Sequence, residues 1–375
     1  MTRITTFVIL AFPAAAFADG PVIDPKSAKV DPDTGVRWFD VRPLGVEGQG
    51  WTDTKAPFDR LPAKAEKTAR PPVWNLSRHS TGLCVRFVTD ATAIHARWTV
   101  TNKNLAMPHM PATGVSGLDL YVRGEGGKWR WVTNGRPTGE TTTAKLADGL
   151  AAGEKEYLLY LPLYNGVSSV EVGLPKGGTL KKADSRPADR RAPVLFYGTS
   201  ITQGGCASRP GMVHTAILGR TFDRPVINLG FSGNGTLDPD IAPLLGELDA
   251  AVFVLDCLPN LTAAQVAERT EPFVKALRMA RPMPPILLVE DRTYANAAVL
   301  PALAKRNAES RAAYKKAFDA LVAAGDKNLH YLAGDKLIGD DGEGTVDGSH
   351  PTDLGFMRQA AAFAEALRPL LAPKK

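Results

Sequence analysis

Val194-Leu195-Phe196-Tyr197-Gly198-Thr199-Ser200 is the stretch that best indicates how this chain folds. Four apolar residues end in Gly-Thr-Ser, a pattern typical of a buried strand that opens through a turn toward a helix. In open α/β folds, ligands bind at the carboxyl edge of the sheet, which is where this serine would lie. We therefore expect Ser200 to face a site.

A second polar group stands near the C-terminus, in the loop-like run Asp347-Gly348-Ser349-His350-Pro351. His350 offers an imidazole base, and Asp347 offers a carboxylate that can orient it. With the Ser200 hydroxyl as nucleophile, these groups supply what acyl transfer through serine requires. The pattern predicts a catalytic triad of Ser200, His350 and Asp347.

Strand and helix patterns alternate through residues 194–375, the predicted C-terminal domain. One helix begins at a capping box of Thr262 and Gln265, and Pro272 predicts a kink or a new start within it. Repeated β-α-β order implies a parallel sheet with helices on both faces, which is an α/β fold of three layers. The strand-like runs are 194–197, 226–231, 250–256, 286–290 and 329–332.

Residues 19–180 have the patterning of a separate β domain. Apolar and polar residues alternate at 94–100 and 118–123, which predicts that each strand has one buried face and one solvent-exposed face. Asp119 and Tyr121 fall on the polar, exposed face. Many short strands without strong helices favour an antiparallel β-sandwich or jelly roll. The stretch 181–193 is rich in proline and charge and is the predicted linker.

Residues 1–18 have the pattern of a secretory signal. One positive charge precedes an apolar stretch that is too short to span a bilayer, and Ala16-Phe17-Ala18 resembles a cleavage site. We expect cleavage near Ala18 and a periplasmic or secreted protein without a membrane span. The formal net charge of +6 on 375 residues is modest, and no basic strand is interleaved with aromatic residues, so nucleic acid is not an expected partner.

The three cysteines do not form a disulfide scaffold. Cys206 follows Ser200 by six positions, and Cys257 precedes Asn260 by three, so an oxidising compartment would permit a bridge if both flank one site. We keep this disulfide as a hypothesis. No HExxH motif or close cluster of ligand residues occurs, so we expect neither a metal nor another cofactor.

Two further turns follow the second and third predicted strands. They are Asn228-Leu229-Gly230-Phe231-Ser232-Gly233 and Asp256-Cys257-Leu258-Pro259-Asn260. A glycine-rich turn can aim a backbone N–H into a cleft, and an asparagine can present an amide N–H. Both are suited to stabilising an oxyanion.

With these blocks in order, residues 190–375 resemble the SGNH hydrolases, also called GDSL-type esterases and lipases. The Ser, Gly, Asn and Asp-x-x-His blocks of that family match Ser200, Gly233, Asn260 and the pair of Asp347 with His350. The resemblance implies a flavodoxin-like domain and an oxyanion hole made by Ser200, Gly233 and Asn260. Two departures occur: Gly-Thr-Ser replaces Gly-Asp-Ser, and Leu258-Pro259-Asn260-Leu261 replaces Gly-x-Asn-Asp.

The first half resembles a β domain that precedes some SGNH hydrolases, through Gly117-Leu118-Asp119-Leu120-Tyr121. We expect Asp119 and Tyr121 to hold a turn or a domain contact rather than touch substrate.

For Arg209 and Arg292, we expect surface salt bridges rather than contacts with substrate. His214 is expected to have a structural role. The apolar loop at 107–111 is interpreted as a connection between strands that could cover the cleft.

The resemblance implies a secreted serine esterase that hydrolyses short-chain acyl esters, above all a carbohydrate O-acetyl esterase acting on a glycan or small-molecule ester. One alternative is a lipid or short-chain acyl hydrolase of the lipase, phospholipase or thioesterase type. The other alternative is a non-catalytic glycan-binding protein.

Overall fold

The N-terminal half of the chain forms two antiparallel sheets. The computed structural model describes residues 20–372, so the predicted signal at 1–18 lies outside the described range. The sheets have the orders β1-β2-β10-β5-β8 and β11-β4-β9-β6-β7, with β3 paired to β4. Their strands are β1 (Lys29–Val30), β2 (Arg37–Asp40), β3 (Val46–Glu47), β4 (Cys84–Thr89), β5 (Ile94–Val100), β6 (Leu118–Arg123), β7 (Trp129–Gly135), β8 (Thr141–Ala147), β9 (Lys155–Tyr160), β10 (Val167–Leu174) and β11 (Leu180–Lys182).

Short helices interrupt this half. The α-helices are α1 (Pro71–Ser77) and α2 (Ala112–Val115). The short 3₁₀ helices within residues 20–372 are Pro25–Ser27, Arg42–Leu44, Ala63–Lys67, Glu125–Gly127, Ala188–Arg190, Pro210–Met212 and Leu258–Asn260.

A hydrophobic core fills the space between the two sheets. Ile94, Ala96 and Trp98 of β5 are fully buried, while the residues between them are half-exposed, as the alternation predicts. They pack with residues such as Phe87 of β4 and Leu159 of β9. The antiparallel sandwich predicted for this half is confirmed.

The outer face of the second sheet is also buried. Tyr121 and Tyr160 pack there against Ile201 and Phe356 of the C-terminal half. Asp119 is 0% and Tyr121 4% exposed, so the prediction that these two residues lie on a wet face is wrong. The reason is that the C-terminal half covers this face, which period-two patterning within one strand cannot reveal.

The C-terminal half contains five parallel strands in the order β13-β12-β14-β15-β16. This is the flavodoxin-like order, and the predicted fold class is confirmed. The strands are β12 (Val194–Gly198), β13 (Val226–Gly230), β14 (Val252–Asp256), β15 (Ile286–Val289) and β16 (Leu329–Leu332). The helices are α3 (Ser200–Gln203), α4 (His214–Phe222), α5 (Ile241–Gly246), α6 (Ala263–Ala280), α7 (Pro301–Ala323) and α8 (Asp353–Leu371).

Helices cover both faces of the parallel sheet. Leu195 and Tyr197 of β12 face the side of α5, α6 and α7, whereas Val194 and Phe196 face α4 and α8. Full burial of each such aliphatic or aromatic side chain contributes about 1.5–3 kcal/mol relative to its exposure. Pro272 lies at an exposed position inside α6, which continues through it without a new start.

One part of the first half packs in the core of the second. This part is residues 51–80, called the 51–80 segment below. Its Trp51, Leu61 and Val73 lie in the same apolar cluster as Leu195 of β12. The sequence patterns did not predict this contact. Among residues 20–372, no helix is both long and apolar enough to cross a membrane.

Candidate active site

Strand register brings three turns to one edge of the parallel sheet. Gly198, at the end of β12, lies opposite Gly230 of β13 on one side and Asp256 of β14 on the other. The turns that follow these strands meet there, at the point where the strand order reverses. Gly198 must be glycine, because an added Cβ would lie 2.1 Å from the Thr202 hydroxyl oxygen.

Ser200 begins α3, directly after the N-cap residue Thr199, whose hydroxyl accepts from the Ile201 N–H. The Ser200 Oγ lies 2.7 Å from Nε2 of His350, although the two residues are 150 positions apart. The structure therefore brings the predicted nucleophile and base into hydrogen-bond contact. Ser200 is 9% exposed, which leaves its oxygen at the edge of the protein rather than in the core.

Asp347 holds the other side of the His350 ring. Its Oδ2 lies 2.7 Å from Nδ1, and its Oδ1 accepts from the backbone N–H groups of Ser349 and His350 at 3.0 and 2.8 Å. Partial burial raises the pKa of Asp347, but these hydrogen bonds outweigh it and hold the pKa below its usual value. An ionised Asp347 assigns the proton to Nδ1, which leaves Nε2 free to accept from the serine hydroxyl.

The turn at 231–235 presents its backbone toward the same edge. Gly233 has a φ of +68° and no atom within 4 Å of an added Cβ, so it occupies an open, left-handed position in the turn. The preceding N–H, of Ser232, donates to Oε1 of Gln203 at 2.9 Å. This bond ties the turn to α3, which begins with Ser200.

Asn260 lies against this turn. Its amide orientation is assigned from its neighbours: the oxygen accepts from the N–H groups of Asn234 and Gly235, at 3.0 and 3.1 Å. The NH₂ group is then the free end of the amide. The sequence-predicted Asn260 and the turn that carries Gly233 are thus joined by two hydrogen bonds.

Residues of the first half support the site, and sequence reasoning missed them. Gln203 Nε2 lies 3.0 Å from Nδ1 of His79, whose pKa is lowered to about 4 by burial and then by Arg60. Arg70 donates to the Asn234 side chain and backbone and to Asp238, beside the 231–235 turn. No local motif marks these residues, since their partners lie more than 120 positions away.

Polar side chains also surround the triad. The His109 ring centroid lies 6.4 Å from that of His350, so the 107–111 loop of the β sandwich reaches the site. Tyr164 donates its hydroxyl to the Ser200 carbonyl at 3.1 Å. Asn296 lies within 3.1 Å of an added Cβ at Gly348, in the loop that carries Asp347 and His350.

Arg292 and Arg209 both form ion pairs, but neither pair lies at the surface, so the prediction of surface salt bridges is wrong. Arg292 is 2% exposed and pairs bidentately with buried Asp256, which also accepts from the Thr202 hydroxyl of α3 at 2.9 Å. Removing one member of such a buried pair typically costs about 3–5 kcal/mol. Arg209 pairs with Asp119 where the two halves meet, so the predicted domain contact of Asp119 is confirmed.

His214 has the structural role that was expected. Its ring stacks between Phe356 and Phe363 at centroid distances of 5.8 and 5.3 Å. Burial and then the charge of Arg292 place its pKa well below the usual value. Neither ring nitrogen has a hydrogen-bond partner among residues 20–372.

The hypothesised disulfide is wrong, because Cys84, Cys206 and Cys257 are all free thiols. Cys257 is fully buried in the core, with its Sγ 3.5 Å from the Tyr197 carbonyl oxygen. Cys206 lies after α3, and its thiol pKa is raised to about 11 by burial and by Asp347. The two thiols therefore occupy different surroundings, one in the hydrophobic core and one beside Asp347.

Two protein-family models match the chain. Residues 191–368 match the model of the GDSL-like lipase/acylhydrolase family, and residues 36–180 match the GxDLY model of the N-terminus of SGNH-type esterases. A search of curated proteins finds no match.

Solved structures share this fold. A protein of Bacteroides ovatus described as a GDSL-like lipase is 34% identical, with a TM-score of 0.85 over 90% of this chain and 98% of that one. A salicylyl-acyltransferase from a tetracycline biosynthetic pathway is 23% identical, with a TM-score of 0.70 over 89% and 97%. A family two carbohydrate esterase from Clostridium thermocellum, solved with cellohexaose, shares the fold at 15% identity and a TM-score of 0.54 over 78% and 93%. The chain belongs to the GDSL-like, or SGNH, hydrolases and is an ester-hydrolysing enzyme with a GxDLY-type N-terminal region.

Proposed function

We propose that the chain cleaves esters through a triad of Ser200, His350 and Asp347. The observation that carries this proposal is the chain of two 2.7 Å contacts from Ser200 Oγ through the His350 ring to Asp347. The serine oxygen attacks the ester carbon while Nε2 takes its proton, and Asp347 stabilises the imidazolium. The proton then passes to the leaving alcohol, and water hydrolyses the acyl-enzyme by the same transfers.

The oxyanion hole in this proposal consists of the Ser200 and Gly233 N–H groups and the Asn260 amide. The open left-handed turn at Gly233 supports this assignment. The bonds that fix the Asn260 oxygen also support it, since they leave the NH₂ group as a preorganised donor.

For the substrate, we propose a short acyl ester, above all an acetyl group on a carbohydrate. The polar surroundings supplied by His109 and Asn296 are suited to a hydroxyl-rich alcohol. Carbohydrate esterases among the structures with the same fold add support. The second candidate is a lipid ester, which is favoured by the lipase description of the relative that is 34% identical.

Acetate release from acetylated plant, algal and bacterial polysaccharides tests the first substrate class. A series of nitrophenyl esters from acetate to octanoate separates it from the second. We expect acetate to be preferred, and preference for octanoate would replace the carbohydrate proposal with the lipid one.

A Ser200→Ala variant is expected to lose activity on every ester, with exposed Ser168→Ala as the matched control. If Ser200→Ala stayed as active as the parent, the triad would be refuted, and the non-catalytic glycan-binding alternative would gain support.

We further propose that the enzyme acts in the periplasm or outside the cell, since residues 1–18 have the pattern of a cleaved signal. N-terminal sequencing of the mature protein tests this. A start at Asp19 is expected, and a mature chain that keeps Met1 would contradict it.

A further inference from the structure

The loop that follows α3, residues 204–213, is held by the β sandwich at one buried carboxylate. Asp119 of β6 accepts from Arg209 Nη1 at 2.7 Å and from the Gly211 N–H at 2.8 Å. The Trp131 ring N–H donates to its other oxygen at 2.8 Å. Asp119 is 0% exposed, so these bonds are made without competition from water.

The same β strand leaves the 204–213 loop no room to slide. Tyr121 accepts from Arg209 at 2.6 Å, and an added Cβ at Gly211 would lie 2.4 Å from the Tyr121 ring. Thr113 of α2 donates its hydroxyl to the Ser208 carbonyl at 2.6 Å. Contacts of this closeness mean that the position of β6 fixes the position of the loop.

The other side of the 204–213 loop reaches the catalytic histidine segment. The Ser208 N–H donates to Asp353 Oδ1 at 2.9 Å, and its hydroxyl donates to Oδ2 of the same carboxylate. Asp353 is the first residue of α8 and follows His350 by three positions. One loop therefore links the β sandwich to the segment that places the base.

We propose that Asp119 is a positioning residue for the triad: by fixing the 204–213 loop, it sets, through Ser208 and Asp353, where His350 stands relative to Ser200. This inference rests on the proposed function. It assigns to the β sandwich a role in the reaction rate, although Thr113, Asp119 and Tyr121, which hold the loop, do not touch the reacting atoms. A displacement of about 1 Å at a catalytic group can cost roughly 10²-fold in rate.

Asp119→Asn in the full chain tests the proposal, because the amide keeps the size of the side chain but loses the charge that holds Arg209. The matched control is Asp326→Asn, since Asp326 also accepts from an arginine, Arg278, at 3.0 Å and from a backbone N–H at 3.1 Å. Labelling of Ser200 by a fluorophosphonate and kcat and KM for nitrophenyl acetate are measured over pH, together with the thermal midpoint.

We expect Asp119→Asn to slow labelling and kcat by roughly 10- to 100-fold with little change in KM, and to shift the pH profile of kcat. Asp326→Asn is expected to lower the thermal midpoint only. Ser208→Ala, at a half-exposed position, is expected to give a smaller loss in the same direction, and it decides the question if Asp119→Asn does not fold.

If folded Asp119→Asn had the labelling rate and the pH profile of the parent, the inference would be overturned. If Asp119→Asn does not fold, the same result in Ser208→Ala would overturn it. An equal loss in Asp326→Asn would do the same. These results differ from failure of the proposed function, in which the parent itself does not label or Ser200→Ala keeps its activity.

Discussion

Asn260 is the residue at which this chain departs most from the family pattern, because Leu258-Pro259 precedes it and Leu261 follows it. The structure nevertheless places its amide against the 231–235 turn, where two backbone N–H groups hold the oxygen. An amide fixed at one end donates from the other without having to reorient during the reaction. Such preorganisation is the main source of oxyanion stabilisation.

Replacing Asn260 by alanine is therefore expected to lower kcat by roughly 10²–10³-fold, with a smaller effect on KM. Steady-state kinetics on nitrophenyl acetate measure this split. Asn328→Ala, in the loop before β16, is the control that removes an amide elsewhere in the same half. A kcat for Asn260→Ala within about threefold of the parent would remove Asn260 from the proposed oxyanion hole.

The side chains of the site differ in how far the sequence reveals them. Ser200, Asp347 and His350 were predicted from short motifs, and the structure brings them into contact. Gln203 and His79 were not predicted, because a buried hydrogen bond between residues 124 positions apart leaves no local pattern. Their roles depend on tertiary packing alone.

Among the elements, the 51–80 segment stabilises the turn that carries Gly233. Arg70, at the start of α1, makes bonds to Asn234, Thr236 and Asp238, all in the connection that follows β13. Several donors from one planar guanidinium restrict the turn more than a single bond does. The segment therefore acts on the site without entering it.

Arg70→Ala is expected to loosen this connection and lower kcat by roughly tenfold, since a misplaced donor stabilises the oxyanion less. Lys64→Ala is the matched control, because Lys64 lies in the same segment and pairs with exposed Glu247. Activity assays and thermal melting compare the two variants. An equal kcat in both would show that the Arg70 contacts do not reach the reaction.

The parallel strands could be predicted to within two residues, since each is a short apolar run bounded by turns. The 51–80 segment could not be assigned to the second core, and the second face of β6 was predicted to be wet. Both errors have the same cause. Patterns within one element show that a face is apolar or polar, but they do not show which distant element covers it.

At the scale of the whole molecule, His79 and His214 make the stability depend on pH, because both imidazoles are hard to protonate in the folded chain. The pKa of His79 is lowered to about 4, and that of His214 lies well below the usual value, in both cases first through burial. In the unfolded chain both return to about 6.5. The unfolded state then binds more protons below pH 6.5, so stability present above that pH is lost as the pH falls toward the folded pKa values.

We expect the thermal midpoint to fall between pH 7 and pH 5, with each histidine costing up to about 1.4 kcal/mol per pH unit below 6.5. His214→Phe is expected to reduce this slope, because a phenyl ring fits between Phe356 and Phe363 and carries no proton. Carboxylates titrate equally in both proteins. If the thermal midpoint falls equally with pH in the parent and in His214→Phe, His214 does not contribute to the pH dependence of stability.

The contacts of the 51–80 segment also set the order in which the chain can fold. Arg60 is buried against carbonyl groups of Asn228 and Gly230, which follow it in the sequence by 168 and 170 positions. The Trp51 ring N–H donates to Glu247, which follows it by 196 positions. At about 5–20 residues per second, synthesis of these 168 to 196 residues takes about 8–40 s. During this time the segment has left the ribosome but has no partners to cover its tryptophans. A chain that stops at residue 193 therefore leaves an aggregation-prone surface, and both halves must acquire their final packing together, once the residues up to Glu247 have been made.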